Sequence, residues 1–407
     1  MSRLFLFTVK YPFSRLAECF LAEEFPYISA TFSEVYIFPL KYECDPLELP
    51  NNCHYTKPIL KNKVLSFFRA WFNIHASPIL IGEFFKYKVY ANRKKFLVWL
   101  IGYFTINNIL NSQEFKKLKK EITADDVCYF YWGKWSNCIA YFLRNSGCHF
   151  ISRFHGFGDL WEDSYDGYVP LRTKVMGSLD CCVSISKQGC EFLSEKYPYS
   201  KVIYSPLGAF DSGVASKSKD NILRVVSCST LGALKRVPLI FESLNTLTDV
   251  TIEWTHIGGD GAAFSELKKL VQSKSNENLS VVLTGNVVHS DVLDYYRNHP
   301  IDVFVNLSTV EGVPVSIMEA ISFDIPVVAT NVGGTKDIVN ESTGILLSAN
   351  PTPEEVGQAI IEISNSVKQF TPRKFWMSNF NADRNYSCFA RYLLLLNQKN
   401  KKLKQDY

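Results

Sequence analysis

The stretch Glu311-Gly-Val-Pro-Val-Ser-Ile-Met-Glu319-Ala places two glutamates, with seven residues between them, around a Gly-Val-Pro turn. The preceding residues 301–306 are apolar and β-branched, as in a buried parallel strand, and Pro314 suits the first position of a helix. This order of strand, loop and helix predicts that the amides of Gly312 and Val313 lie at the carboxyl edge of a sheet, beside the positive end of a helix. Anions bind at such an edge, so the stretch indicates a diphosphate site.

Glu319 lies five residues beyond Pro314, which is about 7.5 Å along a helix. One nucleotide sugar is long enough to touch Glu311 near the loop and Glu319 at its ribose. The alternative is that Glu311 only complements the helix dipole and that Glu319 is an ordinary surface residue. The residues around Glu319 are apolar, and a buried carboxylate needs a partner, so we favour the sugar-nucleotide site.

Length and composition favour a folded enzyme of two domains. The chain has 407 residues, which is too long for one ordinary core. Of these residues 47% are hydrophobic and 21% are charged, as in a folded protein. Its eleven cysteines form neither a Cys-x2-Cys metal pair nor a compact disulfide framework, which indicates a reducing cytoplasm. The apolar run near the amino terminus is short for a signal peptide and predicts a first strand instead.

Charge is concentrated in residues 57–120, which contain 13 lysines or arginines and only two acids, Glu83 and Glu114. The segment is also rich in aromatic residues, and we call it the basic aromatic segment. Its longest apolar run, 96–106, is shorter than the ~20 residues that span a bilayer. The composition suits an interfacial helix on anionic lipid, or alternatively a core helical pair with a solvated basic face. No nucleic-acid-binding module is recognisable, so nucleic acid is not an expected partner.

Strand-like and helix-like segments alternate twice along the chain, which predicts an α/β protein with two Rossmann-like halves and parallel sheets. The polar run 216–221 is the expected linker between them. The predicted strands of the first half are 3–8, 34–39, 127–132, 149–154 and 201–207, and those of the second half are 223–229, 250–257, 279–283, 301–306 and 326–330.

Two further features of the second half point to the same ligand. Lys235 and Arg236 stand at a predicted helix start, where the helix dipole disfavours cations unless an anion binds there. The alternative is a pair of solvated surface cations. Glycine turns also follow three predicted strands, and close approach of backbone to a nucleotide requires such turns. They are Gly258-Gly259-Asp-Gly261, Gly285-Asn286 and Val332-Gly333-Gly334-Thr335.

These motifs resemble the donor site of family 4 glycosyltransferases of the GT-B fold. The resemblance is carried by two long segments, Asn306-Leu-Ser-Thr-Val-Glu311-Gly-Val-Pro-Val-Ser-Ile-Met-Glu319-Ala and Asp324-Ile-Pro-Val-Val-Ala-Thr-Asn-Val-Gly333-Gly-Thr. It covers the second half from Val225 to Gly344. In the first half it is confined to Arg153-Phe-His155-Gly156, to Ser184-Ile-Ser186 and, faintly, to Tyr11-Pro-Phe-Ser-Arg-Leu-Ala-Glu18, which is similar to the subgroup that builds bacterial surface polysaccharides.

The resemblance implies two Rossmann-like domains facing across a cleft, with a C-terminal helix that returns to the first domain. The expected bounds are 1–212 for an acceptor-binding domain that contains the basic aromatic segment, 213–375 for a nucleotide-sugar-binding domain, and 376–407 for the returning helix and a charged tail.

The resemblance also implies roles for individual residues. Glu311 would bind donor-sugar hydroxyls, Lys235 would neutralise the diphosphate, and His155 would face the donor sugar as a third catalytic residue. A lone His-Gly has a second explanation, a histidine satisfied at a strand end. Further donor contacts are implied for Arg236, Thr230, Gly232, Gly258, Gly285, Asn286, Gly312, Val313 and Glu319. Acceptor contacts are expected from Arg15, Glu18, Gly156 and Asp159. Thr230 stands where many relatives carry an arginine, so either Arg236 would supply the missing charge or phosphate binding would be weaker.

The implied reaction is transfer of a hexose from a nucleotide donor, most simply a UDP-sugar, to a hydroxyl with retention of configuration. No Asp-x-Asp motif is present, and the family works without a metal, so no metal or cofactor is expected beyond the nucleotide sugar as co-substrate. The expected acceptor is a polyprenyl-diphosphate-linked glycan of an O-antigen, capsule or exopolysaccharide at the cytoplasmic face of the inner membrane. The alternatives are a GT-B sugar-nucleotide epimerase and a non-catalytic sugar-nucleotide-binding scaffold.

Overall fold

The structure, a computed structural model, describes residues 2–14, 17–156, 158–366 and 370–405. The chain divides into two compact units, the first formed by Met1–Ser205 with Tyr386–Tyr407 and the second by Pro206–Asn385. These bounds lie within ten residues of those expected from the sequence. The polar run 216–221, which was the expected linker, lies inside the second unit, where Ser218 Oγ donates to Asp302 Oδ2 at 2.6 Å.

The first unit contains a seven-stranded parallel sheet in the order β3-β2-β1-β4-β5-β6-β7. Its strands are β1 Arg3–Thr8, β2 Glu34–Pro39, β3 Cys53–Tyr55, β4 Asp126–Phe130, β5 His149–Phe154, β6 Cys181–Ser184 and β7 Val202–Tyr204. Its helices are α1 Cys19–Thr31, α2 Lys63–Ala70, α3 Ser77–Lys86, α4 Arg93–Asn111, α5 Gln113–Glu121, α6 Cys138–Leu143, α7 Arg172–Met176 and α8 Lys187–Lys196. The basic aromatic segment thus folds into helices between β3 and β4.

The second unit contains a six-stranded parallel sheet in the order β10-β9-β8-β11-β12-β13. Its strands are β8 Ile222–Cys228, β9 Thr251–Ile257, β10 Leu279–Leu283, β11 Val303–Asn306, β12 Val327–Thr330 and β13 Gly344–Leu347. The helices that follow are α9 Val237–Asn245, α10 Gly261–Lys274, α11 His289–Asn298, α12 Val315–Ser322, α13 Pro353–Asn365, α14 Pro372–Asn379 and α15 Ala382–Gln405. The predicted α/β class with two Rossmann-like halves is therefore confirmed.

Central strands are buried along their whole length, because helices cover both faces of each sheet. Every residue of β4, β5, β6, β11 and β12 is buried. Arg153 is the charged exception in β5, and its guanidinium pairs with the buried carboxylate of Glu24 at 2.6 Å. The ring of Phe389, in the part of α15 that belongs to the first unit, lies 4.0 Å from the same guanidinium. The last helix therefore contributes to the core of the first unit, as the resemblance implies.

Each sheet has one switch point, where neighbouring strands lead to loops that run in opposite directions. In the first unit the switch point lies between β1 and β4, and in the second between β8 and β11. Ligands of open α/β sheets bind at such points, outside the carboxyl ends of the strands. Among the described residues, no helix combines the length and apolar character needed to cross a bilayer.

Candidate functional site

An ion pair joins the two loops at the switch point of the second unit. Lys235 lies on the loop after β8, Glu311 lies on the loop after β11, and Lys235 Nζ is 2.6 Å from Glu311 Oε1. The amide of Thr309 also donates to the carbonyl of Leu234 at 2.8 Å, which holds the two loops together. The side chains are 29% and 11% exposed, so a ligand can reach the pair without unfolding the loops.

The turn at Gly333 supports the loop that carries Glu311. Gly333 has a φ of +53°, and a Cβ atom there would lie 1.9 Å from the carbonyl oxygen of Glu311, so only glycine fits. The amide of Gly334 donates to the carbonyl of Gly312 at 2.7 Å. Among the described residues, the amides of Gly312 and Val313 have no acceptor. This loop therefore presents unused donors just before α12, as an anion site requires.

Glu319 is nearly buried in α12, and its partner is a histidine that the sequence analysis did not identify. Glu319 Oε1 lies 2.6 Å from Nε2 of His289, the first residue of α11. The Glu319 side chain is 12% exposed and that of His289 is 55% exposed. Burial, together with the charge of Glu319, raises the pKa of the Cys228 thiol at the end of β8 to about 12, so this thiol stays protonated. The expectation that Glu319 needs a partner is met, and an exposed partner leaves the carboxylate open to exchange.

Arg236 lies at the predicted helix start but does not have the predicted surroundings. It precedes α9 with a φ of +49°, and its guanidinium donates to the carbonyls of Leu307, Ser308 and Ala349 and to Asn350 Oδ1. These acceptors occupy the planar group, and burial lowers its pKa. Arg236 thus fastens the loop after β11 to the loop after β13, which argues against the predicted contact with a donor diphosphate.

Two of the predicted glycine turns bring neighbouring loops together. The amide of Gly258 donates to the carbonyl of Gly285 at 3.0 Å, and the amide of Gly259 donates to Asn286 Oδ1 at 2.8 Å. A Cβ atom at Gly258 would lie 2.4 Å from the carbonyl oxygen of Ser229 on the loop after β8. These contacts account for the glycines without a ligand. Thr230 and Gly232 are exposed on the loop after β8, and their donor contacts stay predictions.

His155 follows β5 in the first unit, and its ring is held in place on three sides. The ring centroids of Tyr131 and Trp132 lie 4.6 and 4.4 Å from it, and Nδ1 lies 3.4 Å from Asp159 Oδ2. His155 Nε2 is buried and has no hydrogen-bond partner among the described residues. Nε2 is therefore the ring atom that is left for contact with a reacting group.

Asp159, which we expected to bind the glycan acceptor, instead accepts hydrogen bonds from the protein's own backbone. Its buried carboxylate accepts hydrogen bonds from the amides of His155, Gly156 and Gly133 at 3.0 to 3.2 Å. Asp159 therefore shapes the loops around His155, and Gly156 is part of the same turn. This placement argues against direct acceptor binding by Asp159.

Glu18, which we also expected to bind the glycan acceptor, has both of its carboxylate oxygens engaged in hydrogen bonds within the protein. Its two oxygens accept hydrogen bonds from the amides of Val9, Lys10 and Tyr11 and from Trp132 Nε1, all within 2.8 Å. The carboxylate ties the loop after β1 to the loop after β4, which argues against acceptor binding here as well. Arg15, which we also expected to bind the glycan acceptor, lies outside the described residues.

Lys134 is a further polar group near His155 that the sequence analysis missed. Its ammonium donates to the Tyr165 hydroxyl at 2.7 Å, and burial, reinforced by the positive charge of Arg172, lowers its pKa to about 8. The signal was present, because Trp132-Gly-Lys134 lies on the loop after β4, at the switch point. Among the described residues, no three His, Cys, Asp or Glu side chains form a metal-ligand group.

The second unit matches a known family model. Residues 213–370 match the model described as glycosyl transferases group 1. The matched range includes Lys235, Glu311 and Glu319. A curated relative, the O-antigen biosynthesis glycosyltransferase WbnH of Escherichia coli, is 26% identical over 140 residues, or 34% of this chain and 38% of the relative. The chain thus matches about two fifths of the length of its curated relatives.

The fold is similar to that of solved structures over nearly the whole chain. The apo form of the lipopolysaccharide outer core galactosyltransferase WaaB superposes with a TM-score of 0.68 at 14% identity, covering 98% of this chain and 100% of that one. Alr3699/HepE from Anabaena, solved in complex with UDP, has a TM-score of 0.61 at 14% identity over 97% of this chain and 99% of its own. Together with the family model, these similarities confirm the resemblance to GT-B glycosyltransferases.

Proposed function

We propose that this chain, a GT-B protein whose second unit is a group 1 glycosyl transferase domain, moves a hexose from a UDP-sugar to a hydroxyl of a growing surface polysaccharide. The observation that carries the proposal is the Lys235–Glu311 pair beside the unused amides of Gly312 and Val313. A cation and free donors for a diphosphate stand next to a carboxylate for sugar hydroxyls, so one compact site matches both halves of a nucleotide sugar.

In the proposed donor complex, Lys235 turns from Glu311 to the diphosphate, and the amides of Gly312 and Val313 bind sugar or phosphate. Glu311 then accepts hydrogen bonds from sugar hydroxyls. Glu319 exchanges His289 for the ribose hydroxyls. UDP as the carrier is supported by the similarity to Alr3699/HepE, which was solved with UDP.

The proposed chemistry breaks the glycosyl phosphate bond through an oxocarbenium-like state. Negative charge builds up on the leaving diphosphate, and a preorganised cation with backbone donors stabilises it most. Lys235 and the loop before α12 supply that stabilisation in a transfer that we propose to need no metal. His155 Nε2 is the proposed contact of the first unit with the donor sugar. Retention of configuration belongs to the proposal through the family resemblance.

The proposed acceptor is a polyprenyl-diphosphate-linked glycan of an O-antigen, capsule or exopolysaccharide, met at the cytoplasmic face of the inner membrane. This assignment is supported by the similarity of 140 residues of this chain to an O-antigen biosynthesis glycosyltransferase. The basic charge of residues 57–120 supports an anionic surface as partner.

Two measurements test the proposal. A thermal-shift screen with UDP, GDP and ADP sugars identifies the donor, because a ligand that binds the native state raises the melting temperature. The purified protein is then incubated with that radiolabelled donor and bacterial membrane extract, beside Lys235→Met and the surface control Lys268→Met. We expect label in the lipid-extractable fraction, unchanged in Lys268→Met and lost in Lys235→Met. Interconversion of the free nucleotide sugar would identify an epimerase instead, and binding without turnover a scaffold.

A further inference from the structure

The basic aromatic segment exposes large apolar side chains that soluble proteins usually bury. On α2 and the turn after it, Phe67, Phe68, Trp71, Phe72 and Ile74 are 56 to 70% exposed. Contiguous exposed apolar surface of this kind marks an interaction site rather than a solvated face. The alternative from the sequence, a core helical pair with only a basic outer face, does not fit this exposure.

The exposed residues of α2 join those of α3 and α4 in one surface. Side chains of similar exposure follow on these helices and on the turn between them, namely Phe85, Tyr90, Leu97 and Ile101. Rings in contact, with centroids 4.7 to 6.3 Å apart, run without a break from α2 to α3 through Phe67, Trp71, Phe104, Tyr103, Trp99 and Phe84. We call α2, α3 and α4 with these side chains the aromatic platform.

The charges of the platform are one-sided. Lys86, Lys88 and Arg93 are exposed on it, and Lys94, which is also exposed, lies 3.8 Å from Asp166 Oδ1. Glu83 points away from solvent, because its Oε2 accepts hydrogen bonds from the Leu171 amide at 3.0 Å and from the Tyr168 hydroxyl at 3.1 Å. Apolar rings beside a surplus of exposed cations are complementary to an anionic lipid surface.

The platform is packed against the loop that contacts His155. A Cβ atom at Gly102 of α4 would lie 2.6 Å from the Trp135 ring and 2.7 Å from Pro170, so α4 approaches both closely. Trp135 is three residues from Trp132, whose ring contacts His155. A ligand held on the platform is thus held next to the loop that shapes the surroundings of His155.

We propose that the aromatic platform docks onto an anionic bilayer, with its exposed rings at the level of the headgroups, and presents a lipid-linked acceptor to the loop around His155. The presentation step rests on the proposed function, whereas the docking step does not. A cross-chain protein contact would also cover apolar rings, but the surplus of exposed cations favours an anionic partner.

The test is flotation of the purified full chain with lipid vesicles. We expect it to float with vesicles of equimolar phosphatidylglycerol and phosphatidylcholine, to float far less with phosphatidylcholine alone, and to be released by high salt, which screens exposed charges. Equal flotation with both vesicles, or none with either, would overturn the proposal.

Matched variants separate the platform from unspecific adhesion. Phe67→Ser with Phe68→Ser and Ile74→Ser removes three exposed apolar groups of the platform. The control Tyr199→Ser with Val214→Ser and Met377→Ser removes three that are 52 to 58% exposed elsewhere. We expect at least about tenfold less bound protein for the first variant and no change for the control. An equal loss in both would contradict the platform as the docking site.

Charge reversal gives an independent comparison. Lys86→Glu with Lys88→Glu changes two exposed cations of the platform, and Lys268→Glu with Lys269→Glu changes two exposed cations of α10. Only the first pair is expected to abolish flotation. UDP binding by calorimetry should be unchanged in all these variants, so a failure of docking is distinguishable from a failure of the donor site. Loss of a dimer in the platform variants, without vesicle binding by the wild type, would assign the surface to a second copy instead.

Discussion

The two switch points of the molecule have the same topology, but the carboxylate at each of them has a different kind of partner. In the second unit, Lys235 on the loop after β8 pairs with Glu311 on the loop after β11. In the first unit, Glu18 on the loop after β1 binds Trp132 on the loop after β4 at 2.7 Å. In each case one carboxylate joins two loops, so position in the fold alone does not separate a ligand-binding acid from a structural one.

The partners of the two carboxylates make the difference. Glu18 accepts four hydrogen bonds, and three of them come from backbone amides, which cannot turn to another acceptor. Glu311 is bound by the flexible side chain of Lys235 and, weakly, by Asn306 Nδ2 at 3.5 Å. A lysine can leave for a diphosphate at little cost to the fold, whereas an amide cannot. We therefore assign Glu18 to the scaffold, and Glu311 stays the proposed ligand of the donor.

The largest effect is expected from Lys235→Met. Removing the cation takes away charge stabilisation of the diphosphate and leaves Glu311 as an unpaired negative charge beside it. We expect UDP affinity to fall about 100-fold, close to 2.7 kcal/mol, as measured by calorimetry. Lys268→Met on the surface of α10 serves as the control and should bind UDP like the wild type. Wild-type affinity in Lys235→Met would remove Lys235 from the donor site.

Glu18→Gln should act on stability instead of affinity. The amide keeps one acceptor oxygen but turns an NH2 group toward two hydrogen-bond donors, and buried donors without an acceptor destabilise strongly. We expect the free energy of unfolding to fall by about 2 kcal/mol in urea denaturation, with UDP affinity unchanged. Glu43→Gln, on the exposed carboxylate that pairs with Lys10 in the same region, should change little. A large loss of UDP binding at wild-type stability would reverse the assignment of the two carboxylates.

The fold was largely predictable because long buried strands have a strong apolar pattern. Arg3–Thr8, Glu34–Pro39 and His149–Phe154 were predicted with their observed bounds. The strands that were missed are β3, β6 and β13, which have three or four residues each, too few for a clear pattern of alternation. Such short strands are defined by their neighbours in the sheet, which the local sequence does not contain.

The candidate site was predictable only where the residue itself carries the chemistry. Lys235 and Glu311 come together as their charges suggest. The partners of Arg236 and Glu18 could not be predicted, because most of them are backbone carbonyls and amides, which every residue type supplies. His289 was missed because it lies 30 residues before Glu319 and only the tertiary fold brings the two side chains together. Partners of this kind depend on long-range contacts, so sequence patterns identify charged groups but not what satisfies them.

Glu319→Ala should have an intermediate effect. The carboxylate already has an exchangeable partner in His289, so its loss removes the proposed ribose contacts without leaving a buried donor, because His289 is largely exposed. We expect about tenfold weaker UDP binding, or 1.4 kcal/mol, with stability close to that of the wild type. Glu341→Ala, at an exposed position of the same unit, is the control. Unchanged UDP affinity would refute the ribose assignment.

The smallest expected effect on UDP is the one that distinguishes the two carboxylates most sharply. In Glu311→Gln, Lys235 loses its ion-pair partner and is free for the diphosphate, so UDP alone should bind as well as to the wild type or slightly better. The UDP-sugar selected in the thermal-shift screen should lose affinity, because the charged acceptor for its hydroxyls is gone. Parallel calorimetry of UDP and of the UDP-sugar on one protein preparation measures this difference directly. A drop in affinity for UDP itself would mean that Glu311 positions Lys235, which would make it a scaffold carboxylate like Glu18.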